Sequence, residues 1–343
     1  MIGGVFLKNL AIITIVLTMF VGLLVAGCGG AQQGTKKENW PKGKITVVVP
    51  FKAGGSADTM ARSLTKYWEK ELGAPMIIDN IDGASGQIGA TMFQKKPADG
   101  NTIFIGTQLY LSANIVLQKA EFKMEDFDIL NFQEFDPVTV CVLEDSPYKT
   151  LDDLIKAIKD NPNTIKWGTI YGGPLQLAGA LLLDDFDLKV KTIYYDSGSA
   201  MRTALLGNHI DFMIGNANGD QAVKGKARVL AVADTKRSEI WPEAPTFSEA
   251  LKAHGKTFPR IGSSRFIAVK KSVKEKYPDR YDKLIATYKK ALDNPEYKAF
   301  RTQSGSASVT HYYGPEESTK MNNEIHNLLI KYKDKLNKEK LNK

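Results

Sequence analysis

Two short stretches of this chain are suited to meeting a negative charge with backbone instead of side chains. The first is Pro50-Phe51-Lys52-Ala53-Gly54-Gly55-Ser56-Ala57-Asp58, and the second is Gly83-Ala84-Ser85-Gly86-Gln87-Ile88-Gly89. Glycines let a chain turn sharply and present N–H groups with no Cβ in the way. Each stretch precedes a segment of helical periodicity, and a helix start attracts an anion by roughly 0.3–1 kcal/mol. Ser56 is expected to cap its helix and to offer a hydroxyl to a ligand. Neither stretch is a nucleotide signature. The first lacks the P-loop lysine, and the second spaces its glycines G-x-x-G-x-x-G, not G-x-G-x-x-G. A plain tight turn remains the competing reading of each.

Signatures of catalysis are missing. No G-x-S-x-G, H-E-x-x-H or C-x-x-C occurs. The four histidines, His209, His254, His311 and His326, never stand at i, i+4, so neither a metal nor another cofactor is expected. Two cysteines, Cys28 and Cys141, exclude a disulfide scaffold and a multi-cysteine cluster. Cys141 lies in the apolar run Val138–Leu143 and reads as a small buried hydrophobe. Asp58 sits in a first helical turn, where a carboxylate suits the dipole, so a structural role outweighs that of general base. A secreted enzyme using Asp58 or Tyr195 is the rival class.

These loops need a frame, and the chain alternates strand and helix. Ile45–Val49 is a β-branched run stopped by Pro50. Met60, Ala61, Leu64 and Trp68 then recur at helical spacing up to Gly73. Met76–Ile78 and Thr102–Ile105 read as strands around a second helix through Met92 and Phe93. Such a unit implies a parallel sheet. The pattern restarts with strand Val138–Leu143. Strands follow at Ile165–Trp167, Thr192–Tyr195, Phe212–Ile214, Val229–Val232 and Arg265–Val269. Helices are expected at Pro174–Leu183, Ser199–Leu206, Asp279–Leu292 and from Pro315 to about Lys333. Thr150–Asp153 and Thr246–Glu249 resemble capping boxes. Two α/β lobes result, with the chain crossing near 138 and returning near 260.

The composition, 343 residues with 43% hydrophobic and 24% charged, is globular and excludes disordered and collagenous classes. Lys8 is the one charge in residues 1–28, and Leu10–Ala26 holds only apolar residues, Thr and Gly. Val25-Ala26-Gly27-Cys28 resembles the lipobox of bacterial lipoproteins, with Cys28 the lipidated residue; an uncleaved anchor with an incidental cysteine is the alternative. Residues 1–27 are then a signal peptide and 28–39 a lipidated tether. The net charge of +8 owes much to the lysine-rich end, where 336–343 reads as a basic tail. A solvated helix end near anionic lipid explains it better than nucleic acid, which an exported protein rarely meets.

The chain resembles the substrate-binding receptors of tripartite tricarboxylate transporters. Four stretches carry the likeness: Pro50 to Arg62; Gly83 to Ala90 with Ala98-Asp99-Gly100; Tyr195 to Asp211; and Gly225 to Val232 with Arg237 to Ala250. The resemblance implies an α/β fold, a two-lobed periplasmic-binding-protein-like clamshell with a mainly parallel sheet flanked by helices in each lobe. Lobe 1 is 40–138 plus 261–335, and lobe 2 is 139–260. It implies a monomeric extracytoplasmic receptor, not an enzyme, that passes a small organic acid to membrane permease subunits; a receptor reporting to a sensor kinase is the alternative. The implied site has Phe51, Ala53, Gly54, Gly55, Ser56, Ala84 and Ser85 on one lobe. On the other stand Thr169, Gly172, Gln176, Tyr195 and Ser199. Gln176 replaces the family's usual histidine and Ser197 its glycine after Tyr. The identity of the acid therefore stays open.

Overall fold

β-Branched residues at 45–49 form strand β1 (Ile45–Val49), which lies buried between two parallel neighbours, β2 (Met76–Asn80) and β3 (Thr102–Thr107). The computed structural model describes residues 39–341, so the expected signal peptide, Cys28 and all but the last residue of the tether lie outside the described residues. Helix α1 (Ser56–Leu72) joins β1 to β2 and buries Met60, Ala61, Leu64 and Trp68 on one face. It ends at Gly73, whose left-handed φ of 76° lets its N–H bond Glu69 O. Helix α2 (Gln87–Lys95) joins β2 to β3.

Helix α3 (Gln108–Val116) follows β3 directly and has no counterpart in the sequence expectations. Residues 108–114 are all buried, polar Gln108, Ser112 and Asn114 included. A helix covered on all sides shows no apolar stripe, so its periodicity is silent.

Strand β4 (Phe127–Leu143) is 17 residues long, where only its last six read as strand. Its first part carries buried Asn131, Gln133, Glu134 and Asp136, and this polarity conceals its burial. Beyond it come α4 (Leu151–Asp160), β5 (Lys166–Thr169), α5 (Pro174–Phe186), β6 (Lys191–Tyr194), α6 (Gly198–Leu206), β7 (Phe212–Asn216), β8 (Ala227–Val232) and α7 (Phe247–Ala250). Strand β9 (Gly262–Lys270) then precedes α8 (Lys271–Lys276), α9 (Pro278–Asp293), α10 (Pro295–Gln303) and α11 (Gly314–Leu341). Both capping boxes form, with Thr150 and Thr246 accepting from the N–H groups of Asp153 and Glu249.

The sheet order is β2-β1-β3-β9-β4-β7-β5-β6, with β8 also on β4. Its outer ladders are parallel, while β3/β9, β4/β9, β4/β7 and β4/β8 are antiparallel. Along Phe127–Pro137 strand β4 pairs with β9; from Val138 it pairs with β7 and β8. Pro137 stands at the change of partners, where a residue without an N–H costs least. One strand thus belongs to two sheet halves. Each half has its own core: Phe93, Phe104, Phe127, Phe132 and Phe266 in one, and Trp167, Phe212 and the apolar faces of α4 and α5 in the other. Helix α11 reaches both, through Met321 and through Leu329 and Leu336. It continues past Lys333 to Leu341.

Asn131 shows why a polar residue sits in buried β4. Its Nδ2 donates to Tyr288 Oη (2.8 Å) and His311 O (3.0 Å), and its Oδ1 accepts from the N–H groups of Tyr313 (2.7 Å) and Gly314 (3.0 Å). All four bonds fasten α9 and the start of α11 to the strand. Asn131→Ala leaves buried partners unpaired, each costing about 1–3 kcal/mol. Urea unfolding is expected to show a loss of at least about 3 kcal/mol for that variant; a loss within experimental error would contradict this account.

Candidate functional site

Between the sheet halves lies a cavity of about 520 Å³. Its first wall is made of the two glycine-containing loops, which the fold presses together. Phe51 and Pro50 lie against Gly86, where an added Cβ would stand 3.4 Å from the Phe51 ring. At Gly89 it would stand 2.5 Å from Ile81 O and 2.6 Å from Pro50 Cβ, so only glycine permits this approach.

The first loop departs from expectation in its details. Gly55, not Ser56, occupies the N-cap position, with extended backbone and no side-chain cap. Ser56 is the first helical residue and is exposed at the cavity. The N–H groups of the two glycines are internally used. Gly54 N donates to Asp58 Oδ2 at 2.8 Å, and Gly55 N to Lys52 O at 3.2 Å. What the loop offers a ligand is therefore the uncapped first turn of α1, at Ser56 and Ala57. Asp58 is the brace of this loop. It also accepts from Arg62 Nε (2.9 Å) and Asn80 Nδ2 (3.0 Å), and Asn80 Nδ2 holds Phe51 O. Burial alone would raise the Asp58 pKa, yet the bonds from Arg62, Gly54 and Asn80 outweigh it and keep the carboxyl ionised.

The second loop is strained. Gly83, Ala84, Ser85 and Gly86 have successive φ values of 124°, 48°, 52° and 94°. Left-handed backbone costs Ala and Ser about 1–2 kcal/mol each. Buried Asn114 of α3 opposes that cost by donating to Ala84 O and Ser85 O at 3.3 and 3.5 Å. Neither the turn ending at Gly86 nor α2 has a side-chain cap, so this loop too faces the cavity with backbone.

The second wall comes from the other half: Ile170, Tyr171, Tyr194 and Tyr195, with Ser197–Ser199 and Arg202. Ser197 caps α6, accepting from Ala200 N at 3.2 Å and lying 3.0 Å from the Ser199 hydroxyl. Of the residues expected at the site, Phe51, Ala53, Gly54, Gly55, Ser56, Ala84, Ser85, Tyr195 and Ser199 line the cavity. Thr169, Gly172 and Gln176 do not. Thr169 is buried at the end of β5, where its carbonyl holds Tyr195 N at 2.9 Å. Gln176 lies behind the wall because its Oε1 accepts from Gly172 N (2.7 Å) while its Nε2 donates to Tyr194 Oη (3.1 Å). It shapes the wall without reaching the cavity.

Several lining residues escaped the sequence reading. Tyr110 of α3 meets Phe51 edge-on at 5.5 Å. It also packs so closely on Gly173 that a Cβ there would lie 2.2 Å from its ring. The floor holds Arg265 of β9, buried and paired with Glu134 and Asp136 of β4. Burial alone would lower the Arg265 pKa, but these carboxylates more than compensate and hold it charged. Beside it, Asp136 Oδ1 accepts from Asn218 N at 2.7 Å. Nothing in their spacing could announce Glu134, Asp136 and Arg265, which meet through the long-range β4/β9 pairing. Among the described residues no cluster of His, Cys, Asp and Glu is fit to hold a metal.

Residues 60–330 match the profile described as "Tripartite tricarboxylate transporter family receptor". The chain belongs to that family. This receptor is 26% identical to protein BugT of Bordetella pertussis over 238 residues, 67% of this chain and 72% of BugT. The receptor's fold is that of the periplasmic binding protein BugD, with a TM-score of 0.74 at 24% identity, covering 85% of this chain and 98% of BugD. It is similarly close to malate-bound MatC of Rhodopseudomonas palustris, with a TM-score of 0.74 at 21% identity over 87% of this chain and all of MatC. An adipate-bound R. palustris protein gives 0.76 at 21%, over 87% of this chain and 99% of that one. The family is one of solute-binding receptors, not enzymes.

Asp220, which pairs with the cavity-lining Arg202, is fully buried. Burial raises its pKa from 3.8 to about 6, against the opposing effects of Thr139 and Arg202. A carboxyl whose pKa rises on folding favours the fold below its unfolded value, and that contribution is lost as pH rises through about 6. Asp220→Asn cannot ionise and escapes this loss. Its unfolding free energy relative to the wild type should therefore rise by up to about 3 kcal/mol between pH 4 and pH 7.5. Denaturant melts at the two pH values measure this, and a constant difference would disprove the assignment.

Proposed function

We propose that this receptor is an extracytoplasmic lipoprotein that captures a small organic carboxylate between its sheet halves and delivers it to membrane permease subunits. The observation that carries the reading is the strained left-handed turn 83–86 pressed against the uncapped start of α1 in one cavity. Two sets of backbone dipoles face one cavity, and its two lining carboxylates, Asp82 and Asp196, both lie beside Lys52. A strained turn persists when the surrounding structure holds it for a purpose. That relatives of the same fold carry malate and adipate supports a carboxylate as the purpose.

In this reading lobe 1 is 40–138 plus 261–335, lobe 2 is 139–260, and the monomer closes by bending where the chain crosses. Two contacts already span the cleft: Ser85 Oγ donates to Tyr171 O at 3.2 Å, and Lys52 Nζ lies 3.6 Å from Asp196 Oδ2. A ligand that touches both walls favours the closed state by its differential affinity. The apolar stretch Leu10–Ala26 and the Val25-Ala26-Gly27-Cys28 sequence support export, cleavage and lipid attachment at Cys28. Residues 28–39 then tether the receptor to the outer face of the cell membrane, with the basic tail, 336–343, near anionic lipid.

Isothermal titration calorimetry with malate, succinate, adipate and citrate tests the reading. Micromolar affinity, about 8 kcal/mol, suffices for capture and still permits release. At a hundredfold excess over Kd the ligand should add about 2.7 kcal/mol of stability. Gly86→Ala, which forces a φ of 94° on a residue with a Cβ, should weaken binding at least about tenfold. If no small acid binds the wild type, the proposal fails.

A further inference from the structure

We propose that Arg202 is the second anion contact of the cleft, so that the captured ligand carries two acidic groups, one on the amide loops and one on this guanidinium. The inference rests on the carboxylate reading above and narrows it to diacids. Arg202 projects from α6, on the wall opposite the amide loops, and lines the same cavity. Its side chain is 22% exposed. Behind it stands Asp220, with Oδ1 at 3.5 Å from Arg202 Nη1. The other Asp220 oxygen is taken by Thr139 Oγ1 at 2.7 Å. Gly215 covers it so tightly that a Cβ there would lie 2.1 Å from Oδ2.

The seat of the guanidinium is equally restricted. A Cβ added at Gly198 or at Gly219 would stand 3.2 Å from Nη1, so two glycines leave the room it occupies. A guanidinium has five N–H donors in a planar fork, and Asp220 is its one polar partner among the described residues. The remaining donors suit a carboxylate, which takes them in pairs. The other cations of the cleft do not compete. Lys52 is 60% exposed at the rim, between Asp82 and Asp196. Arg265 is 1% exposed, with Nη1 and Nη2 held by Glu134 and Asp136 and only the buried Nε left without a partner among the described residues. The same cavity is lined by aromatic Phe51, Tyr110, Tyr194 and Tyr195, a surface suited to a hydrocarbon spacer.

Matched ligands test this: adipate against hexanoate, and succinate against butyrate, titrated into the wild type, Arg202→Met and Arg202→Lys. The wild type should prefer the better diacid to its monoacid by about a hundredfold. Arg202→Met should lose most of that preference while changing monoacid affinity less than about threefold, with Arg202→Lys between them, since lysine keeps the charge without the fork. Equal weakening of diacid and monoacid in a folded variant would make Arg202 a purely structural partner of Asp220 and overturn the proposal. So would a wild type that binds monoacids as well as diacids, a result that needs no variant to fold. A wild type that binds no acid of either kind overturns the carboxylate reading itself.

Discussion

A backbone amide can serve a ligand only if the fold leaves it unpaired and yet holds it still. The whole first wall of the cleft answers to this requirement. A side chain can be swung toward a ligand by rotamer choice, whereas an N–H points where the surrounding backbone points it. Asp58 fixes the first loop through Gly54, Arg62 and Asn80. Asn114 fixes the second through its carbonyls. In both cases a buried polar side chain satisfies the parts of the loop that face inward. The parts that face outward are left to whatever enters.

Strand β4 sets the geometry of the two walls. Its first part is hydrogen-bonded into one sheet half and its last part into the other, so the floor of the cleft is continuous chain. Charged residues belong there because the floor must be buried without being greasy. Arg265 pairs with both Glu134 and Asp136 across the β4/β9 pair, and Asn216 donates to Asp136 O while accepting from Ser263. Such a network is costly to break from either side.

What could be read in advance follows from the kind of signal each element carries. Strand β1 was legible because four of its five residues are buried and every one is β-branched. Helix α1 was legible because one face is apolar and the other polar, and the α/β fold class follows from such alternation. The first part of β4 and helix α3 were not, because their buried faces carry Asn, Gln, Ser, Glu and Asp, several of whose partners lie more than a hundred residues away. At the site, the glycine loops announced themselves locally. Arg202 did not, since one arginine in a short helix means nothing until Gly198, Gly219 and Asp220 surround it. Ser56 misled because a serine before a helical run is normally the cap, yet extended Gly55 takes that place.

Helix α11 carries a mechanical consequence. With 28 residues it is about 42 Å long, and it is anchored in both hydrophobic cores. A rod fastened at two points resists any change in the angle between its anchors, and it stores work when that angle changes. On the proposed closure of the two lobes, such a rod makes the receptor sprung tweezers more than a door on a loose pin. On that reading, a load on the rod would reach the jaws without touching the cargo.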